Sequence, residues 1–261
     1  MNKMSKVGGL MSEQQQSSEL LDTCLMAGRI MIESGSEMYR VEDTMNRIAQ
    51  NAGEKQSITF TTPTGIFMEL GDSGAVQIRQ VTSRTINLEK VEHVNALSRE
   101  FAAQTINLGQ LHQRLASLDR DVPFFPVWLQ IIAAALISCT LMIIYGGYWQ
   151  DFISTAVIGA TGYAVFYWVR DRLNISYLNE FLAAFTIGLL ALIAVRLHLG
   201  RSIDMIIIGG VMPLVPGVPI TNAVRDILAG HLLSGIARGM DAIFSVSAIG
   251  VGIALIFRFF D

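Results

Sequence analysis

The second half of the chain alternates long apolar runs with short polar breaks. An α-helix of about 20 residues spans the ~30 Å hydrocarbon core of a bilayer, and the apolar runs approach that length. The fourth run is short and ends in closely spaced prolines. The pattern predicts about five membrane helices, over residues 126–145, 152–169, 180–199, 203–218 and 242–260.

In the first half of the chain, apolar and polar residues alternate over shorter distances, which is typical of a small α+β domain. A helical pattern over residues 17–50 is interrupted at Gly35, β-favouring residues follow, and a stretch of turn residues at 71–74 separates the last two strands. Asn107 and Gln110 have the spacing of a capping box at the start of the last helix. The predicted strands are 56–62, 65–70 and 75–81, and the later helices are 88–104 and 108–118.

The interruption at Gly35 predicts a helix end followed by a new helix. Glycine adopts the left-handed conformation that ends many helices. Ser36 is then a suitable N-cap, with Glu37 in the first turn. The first helix is expected to bury Leu20, Leu21, Leu25, Ile30 and Ile32, and the second to bury Met38, Val41, Met45 and Ile48.

Charge separates the two halves. Residues 1–124 hold 27 of the 41 charged residues and all four lysines. The N-terminus lacks the long apolar core of a secretory signal, and arginines favour the side of the predicted spans that adjoins the polar half. We therefore expect a disordered tail (1–16), a cytoplasmic α+β domain (17–122) and a helical domain in the cell membrane (123–261).

Composition excludes several classes of function. A net charge of −3 gives no basic face for nucleic acid. Cys24 and Cys139 lie in different halves, so a disulfide is not expected, and the four histidines lack metal-ligand spacing. No catalytic fingerprint occurs. The sequence therefore predicts no metal, no cofactor and no catalytic residue.

The proline segment is the most informative feature of the membrane half. Pro213, Pro216 and Pro219, with Gly217 among them, follow an apolar run. Proline removes a backbone donor and clashes with the preceding turn. A helix can be interrupted at membrane depth only where protein groups or water in a cavity form hydrogen bonds with the freed backbone N–H and C=O groups. The segment is therefore a candidate gate or binding site.

Two stretches resemble a known family. The segment PLVPGVPITNAVRDILAGHLLSGIAR (213–238) is similar to the signature of the threonine/serine exporter family, and GSEMYRVEDTMNRIA (35–49) is similar to its acidic, RVE-containing helix. The resemblance runs from about residue 17 onward and is strongest to the short, split members. It implies proton-driven export of threonine or serine together with a separate, smaller membrane subunit. Some split members resemble exporters of dicarboxylates such as succinate, so that substrate class stays open.

The residues after the prolines suggest how a carboxylate is bound. A helix restarting near Ile220 would offer unpaired amides to an anion, with Thr221 and Asn222 adding hydrogen bonds. Arg225 and Asp226 follow one turn later and, as adjacent residues, are expected to find separate partners. Desolvation raises a carboxyl pKa, so Asp226 is our predicted proton-coupling residue.

Other interpretations remain open. Residues 221–240 could form a connector on which Arg225, His231 and Arg238 face water, and Glu180 and Arg196 could snorkel to the ends of the third span. The chain could instead be a membrane-anchored enzyme with chemistry near Glu37, Glu69 and His93, or a scaffold that only binds a partner. In each interpretation that places the chain in a membrane, we expect it to contact membrane lipid and to form a hetero- or homo-oligomer.

Overall fold

The chain forms two compact units in a computed structural model. The structure describes the backbone of residues 3–71, 76–82, 85–121, 125–173 and 175–260, and side chains within these ranges except those of residues 3–16, 121 and 260. The first unit comprises Met1–Pro123 with Val218–Gly239, and the second comprises Phe124–Gly217 with Met240–Asp261. The segment 218–239, from the apolar half of the sequence, therefore packs with the polar half.

The first unit combines helices with a small antiparallel sheet. The strand order is β1-β2-β3, and Phe60 of β1 lies opposite Phe67 of β2, which lies opposite Ile78 of β3. All predicted elements are present, although the turn at 72–74 and residue 75 lie outside the described residues. The elements are α1 (Lys3–Glu33), α2 (Met38–Asn51), β1 (Ser57–Thr62), β2 (Gly65–Leu70), β3 (Gln77–Gln80), α3 (Leu88–Ala102) and α4 (Leu108–Asp121).

The core of this unit lies between the helices α1 to α4 and the sheet. The predicted faces of α1 and α2 are confirmed, because every residue expected on them is buried. Cys24 is fully buried on α1, and burial raises the pKa of its thiol to about 12. The capping box is also confirmed, since Asn107 and Gln110 exchange hydrogen bonds at the start of α4. The helical assignment of α1 begins at Lys3, and the expected disorder of residues 1–16 stays a prediction.

The junction between α1 and α2 places a helix end beside a helix start. Gly35 has φ +86°, as predicted, and the amides of Gly35 and Ser36 donate to the carbonyls of Ile32 and Met31 in a Schellman motif. The prediction that Ser36 is the N-cap was wrong by one residue. Because Ser36 completes the motif that ends α1, the N-cap position falls on Glu37, whose own side chain makes no capping hydrogen bond.

The second unit is built from apolar helices. Among the described residues, four helices are long and apolar enough to cross a membrane: α5 (Val127–Ile144), α6 (Phe152–Leu173, preceded by a short 3-10 turn), α7 (Leu178–Arg196) and α10 (Leu232–Phe260), whose residues 232–239 belong to the first unit. A fifth span results if the bent pair made by Ile203–Leu214 and Gly217–Leu228 counts as one broken span. This pair contains α8 (Ile203–Val211) and α9 (Gly217–Leu228).

Small residues allow these helices close contact. A Cβ added at Gly159 would lie 2.1 Å from Ser138 Oγ, and one at Gly209 would lie 2.6 Å from the Ser138 carbonyl oxygen. A Cβ at Gly252 would lie 2.6 Å from the carbonyl oxygen of Phe181. Close approach through small residues is the usual packing device of helices in lipid. Gly250 differs, because no atom lies within 4 Å of its added Cβ.

The break at the prolines is shorter than predicted. The chain makes a 3-10 turn over Met212–Leu214, and Val215 is extended (φ −64°, ψ 127°), as expected for a residue that precedes proline. Helix α9 begins at Gly217, not near Ile220. It begins earlier because Pro219 falls within its first turn, where the missing N–H breaks no intrahelical bond.

Candidate functional site

Helix α9 buries polar side chains and exposes apolar ones. Asn222, Ala223 and Asp226 are buried, whereas Val224 and Leu228 are 53% and 82% exposed. The predicted shared face of Asn222 and Asp226 is therefore present, and it is turned towards the interior of the first unit. A helix with this inverted pattern needs polar partners on one side and an apolar environment on the other.

Asp226 supplies the cap that α2 lacks. Its Oδ1 accepts a hydrogen bond from the backbone N–H of Met38 at 2.9 Å, the first residue of α2. Its Oδ2 lies 3.5 Å from Nη1 of Arg238, too poorly aligned for a hydrogen bond. Asp226 is fully buried, and a carboxylate at a helix N-terminus is favoured by the helix dipole. The cap thus comes from 188 residues further along the chain.

Two more side chains satisfy the carbonyl groups of the α1–α2 junction. The Asn222 side-chain amide donates to the carbonyl oxygen of Gly35 at 2.7 Å. Arg238 Nη2 donates to the carbonyl oxygen of Ser36 at 2.6 Å. Buried backbone polar groups need such partners, so these contacts make the tight junction compatible with burial.

Arg225 completes the group by pairing with Glu37. Its Nη1 donates to Glu37 Oε1 at 2.6 Å, and Arg225 and Asp226 therefore have separate partners, as expected. Burial would raise the pKa of the Glu37 carboxyl, but its own backbone N–H, Arg225 and Arg40 hold that pKa below its ordinary value. We call Glu37, Asn222, Arg225, Asp226 and Arg238 the junction cluster.

A second set of contacts follows along the same elements. Glu42 on α2 accepts hydrogen bonds from the backbone N–H and the hydroxyl of Thr61, and its other oxygen lies 3.8 Å from His231 Nε2. Ser234 donates to the carbonyl oxygen of Thr61 at 3.5 Å. The connector interpretation, in which His231 and Arg238 face water, was wrong for Arg238, since only 9% of it is exposed.

The structure does not bring all predicted site residues into one cluster. Pro213, Pro216 and Gly217 belong to the second unit, and the other predicted residues belong to the first. Thr221 is exposed on α9. The start of α9 also offers fewer amides than expected, because Gly217 N–H donates to Val215 O and Pro219 has no N–H.

Two of the residues named for an enzymatic site, Glu37 and His93, have partners of their own. Glu37 is engaged by Arg225, whereas His93 lies 3.9 Å from both Glu89 and Glu92 at an exposed position. Glu69 is on β2, opposite Ile58 of β1. In the described part of the chain, no group of three or more His, Cys, Asp and Glu side chains is placed to hold a metal ion.

Sequence reasoning missed the partners of the predicted polar residues. The acceptors and donors at Gly35, Ser36 and Met38 are backbone groups, which leave no mark on residue type. Arg238 was considered only as a solvent-facing side chain. The available signal was polar residues spaced at i, i+4 on an otherwise apolar helix, since Asn222 and Asp226 must be satisfied if they are buried.

The long apolar helices, packed through glycines in one unit and accompanied by a polar α+β unit, define a polytopic membrane protein. The chain belongs to the threonine/serine exporter family: residues 22–260 match the family described as "Putative threonine/serine exporter". This is a family of transporters, not of enzymes. The resemblance inferred from the sequence is therefore confirmed.

The chain is similar to three bacterial relatives. It is 25% identical over 252 residues to a "Probable threonine/serine exporter" of Mycobacterium tuberculosis, covering 92% of this chain but only 46% of that protein. It is 22% identical to the "Probable succinate transporter subunit YjjP" of Escherichia coli, covering 94% of this chain and 96% of that protein. The protein of the same description in Klebsiella aerogenes is 21% identical, with 94% of each chain covered. The chain thus spans about half of the mycobacterial relative, and no solved structure matches it.

Proposed function

We propose that the chain is a subunit of an exporter in the cell membrane that moves small carboxylate-bearing metabolites out of the cell, threonine and serine first among them. The observation that carries this proposal is the family match over residues 22–260, which includes both units. The proton gradient is the proposed driving force. The polar unit is proposed to lie in the cytoplasm, consistent with its charge and with the placement of arginines.

A separate, smaller membrane subunit is the proposed partner. Two relatives that match over nearly their whole length carry the word subunit in their names, and the mycobacterial relative is about twice as long as the matched region. If a chain of this size acts with a second membrane protein, in a hetero- or homo-oligomer, both the word subunit in those names and the greater length of the mycobacterial relative are explained.

Export of a dicarboxylate is the second candidate. It is favoured by the near full-length match to the two proteins named as succinate transporter subunits. Threonine, serine and succinate share a carboxylate, so one kind of anion recognition serves all three. The two candidates differ in the rest of the substrate: threonine and serine carry an α-ammonium group and a hydroxyl, whereas succinate carries a second carboxylate.

We propose that the proline segment is the moving part, with Pro213, Pro216, Gly217 and Pro219 keeping the backbone interrupted. The apolar surface of α9 supports contact with membrane lipid, because its exposed side chains include Ile220, Val224 and Ile227. Thr221 stays a predicted substrate contact. Asn222, Arg225 and Asp226 are already hydrogen-bonded to the α1–α2 junction, which favours a role in holding α9 to the polar unit.

The direct test is efflux from cells or vesicles that contain this chain with and without its partner subunit. Labelled threonine, serine and succinate are loaded separately, and release is followed under an imposed proton gradient. We expect gradient-dependent release of one substrate class only when both subunits are present. Release that is independent of this chain for all three substrates would contradict the proposal.

The predicted role of Asp226 in proton coupling has its own test. Asp226→Asn keeps an acceptor for the Met38 amide but removes the charge that faces Arg238. If Asp226 carries the coupling proton, the variant loses the dependence of export on the imposed pH gradient. Export equal to wild type across a range of gradients would exclude this role and leave the cap as the function of Asp226.

A further inference from the structure

Glu180 has an unusual environment in the second unit. It lies in the first turn of α7, and its Oε2 is buried and has no hydrogen-bond partner among the described residues. Glu180 as a whole is half-buried, and its carboxyl accepts hydrogen bonds from its own backbone N–H and from the side chain of the buried Asn179. The expectation that Glu180 snorkels to an interface therefore fails for this oxygen, which points away from solvent.

Three other carboxylates among the described residues each have a hydrogen-bond donor, although Oδ2 of Asp226 also lacks one. Asp151 accepts hydrogen bonds from the backbone amides of Arg201 and Ser202. Asp226 is held by the Met38 amide and faces Arg238. Asp241 accepts a hydrogen bond from the Tyr177 hydroxyl at 2.8 Å. Glu180 differs from these because one of its two oxygens has neither a donor nor a close cation.

The charged surroundings of Glu180 consist mainly of Arg170. Helix α7 packs against α6 and α8, and Gly188 and Phe181 of α7 meet α10. On α6, Arg170 acts on Glu180 through its charge, but no ion pair within 4.0 Å joins the two in the described part of the chain. Asp204 on α8 is exposed, and Asp241 on α10 is engaged by Tyr177.

A buried carboxylate oxygen without a donor carries a desolvation cost that proton binding removes. A helix N-terminus favours negative charge, which accounts for an acidic residue in this turn but not for a buried oxygen without a partner. The proton adds to Oε2 and leaves from it with no other bond made or broken. The ionised form then attracts Arg170, so the two protonation states favour different arrangements of α6 and α7.

We infer that Glu180 is the proton-binding site of the membrane unit, with Arg170 as the cation that stabilises its ionised form. This inference rests on the proposed proton-driven export. It assigns the proton to the second unit, whereas the sequence alone pointed to Asp226 in the first. Export then proceeds with Glu180 alternating between a neutral carboxyl and a carboxylate that faces Arg170.

The test compares Glu180→Gln with wild type in the full-length protein, reconstituted with its partner subunit in vesicles. Two fluxes of labelled substrate are measured, accumulation driven by an imposed pH gradient and exchange at equal pH on both sides. Glu180→Gln, which cannot release a proton, is expected to lose accumulation and keep exchange. Asp204→Asn, which changes an exposed carboxyl of the same unit, is expected to keep both. Accumulation by Glu180→Gln at the wild-type level would overturn the inference.

A second measurement separates this inference from the proposed function. Infrared difference spectra of the full-length protein in detergent, recorded while the pH is changed, report the C=O band of a protonated carboxyl. With the pH kept above about 6, where exposed carboxyls stay ionised, we expect a band in wild type that is absent in Glu180→Gln and shifted in Glu180→Asp. A wild-type protein that shows the band but no gradient-driven flux would contradict the driving force proposed for export, not the proton site. A band that persists in Glu180→Gln would overturn the site itself.

Discussion

The two units differ in the contacts that join their distant segments. In the first unit, the junction cluster pairs carboxylate, amide and guanidinium groups with named partners, most of them at 2.6–2.9 Å. In the second unit, helices approach through glycines. Buried side-chain oxygens without a hydrogen-bond partner among the described residues occur in both units, at Ser36 and Asp226 in the first and at Ser138 and Glu180 in the second. A buried network of hydrogen bonds between distant segments is therefore the main feature of the first unit, and close helix approach at several glycines is that of the second.

This difference indicates which substitutions should destabilise each unit. A satisfied polar network is costly to break because its remaining members stay buried. A glycine contact is costly to fill because the neighbouring atom is often backbone, which cannot rotate away. The following predictions each challenge one side of the comparison.

The largest effect is expected for Asp226→Ala. It removes the cap of α2 and the carboxylate that faces Arg238, and breaking a buried charge pair typically costs about 3–5 kcal/mol. Thermal unfolding in detergent and hydrogen exchange of the first amides of α2 measure the loss. Asp204→Ala, at an exposed first-turn position of α8, is the control. Equal unfolding of the two variants would show that the junction cluster contributes little to stability.

The next effect concerns glycine packing in the second unit. In Gly209→Ala the new Cβ would lie 2.6 Å from the Ser138 carbonyl oxygen and 2.7 Å from Met142 Cβ, and overpacking of this kind costs about 1–3 kcal/mol. Gly250→Ala is the control, since no atom lies within 4 Å of its added Cβ. We expect a lower unfolding temperature for the first variant only. If both variants match wild type, close contact does not specify this unit.

A smaller effect is expected for Gly35→Ala in the first unit. Its φ of +86° lies in the left-handed region, where a residue with a Cβ costs about 1–2 kcal/mol relative to glycine. Gly239→Ala in the same unit has a helical backbone, and its added Cβ has only Ala223 Cβ at 3.9 Å. The unfolding temperature of Gly35→Ala relative to wild type measures the strain at the end of α1, whereas Gly239→Ala should not fall below wild type, because alanine is favoured over glycine in a helix interior. An unfolding temperature of Gly35→Ala equal to wild type would show that the junction relaxes around the new side chain.

The smallest effect is the acid response of Glu37→Gln. Because the pKa of Glu37 is lowered in the folded state, its ionised form adds stability above the unfolded-state pKa of about 4.3. That stability is lost as the pH falls through the folded pKa. The difference in unfolding free energy between wild type and Glu37→Gln should therefore be constant near neutral pH and shrink in acid.

The control for this acid response is Asp43→Asn, which breaks an exposed i,i+4 pair with Arg47. Exposed pairs contribute little, so its difference from wild type should be small at every pH. A constant difference between wild type and Glu37→Gln down to strongly acidic pH would contradict the lowered pKa.

Much of the fold was predictable because its signals are local. The apolar face of α2, the left-handed Gly35 and the capping box at Asn107 each depend on residues within one or two turns, and all three are confirmed. The apolar runs predicted helices long enough to span a membrane, since span length follows from composition alone. The sequence predicted a longer interruption of the helix at the prolines than the structure has, because only the structure shows that Pro219 lies in the first turn of α9.

The sequence by itself determined the family, the apolar helices and the polar identity of the residues on α9. Only the tertiary structure decided what those residues do, since Asn222 and Asp226 engage backbone groups of Gly35 and Met38 that lie nearly two hundred residues earlier. It also decided that a Glu180 oxygen is buried without a hydrogen-bond partner among the described residues. Residue type fixes which hydrogen bonds a side chain is able to make, but packing between distant segments fixes which of them form.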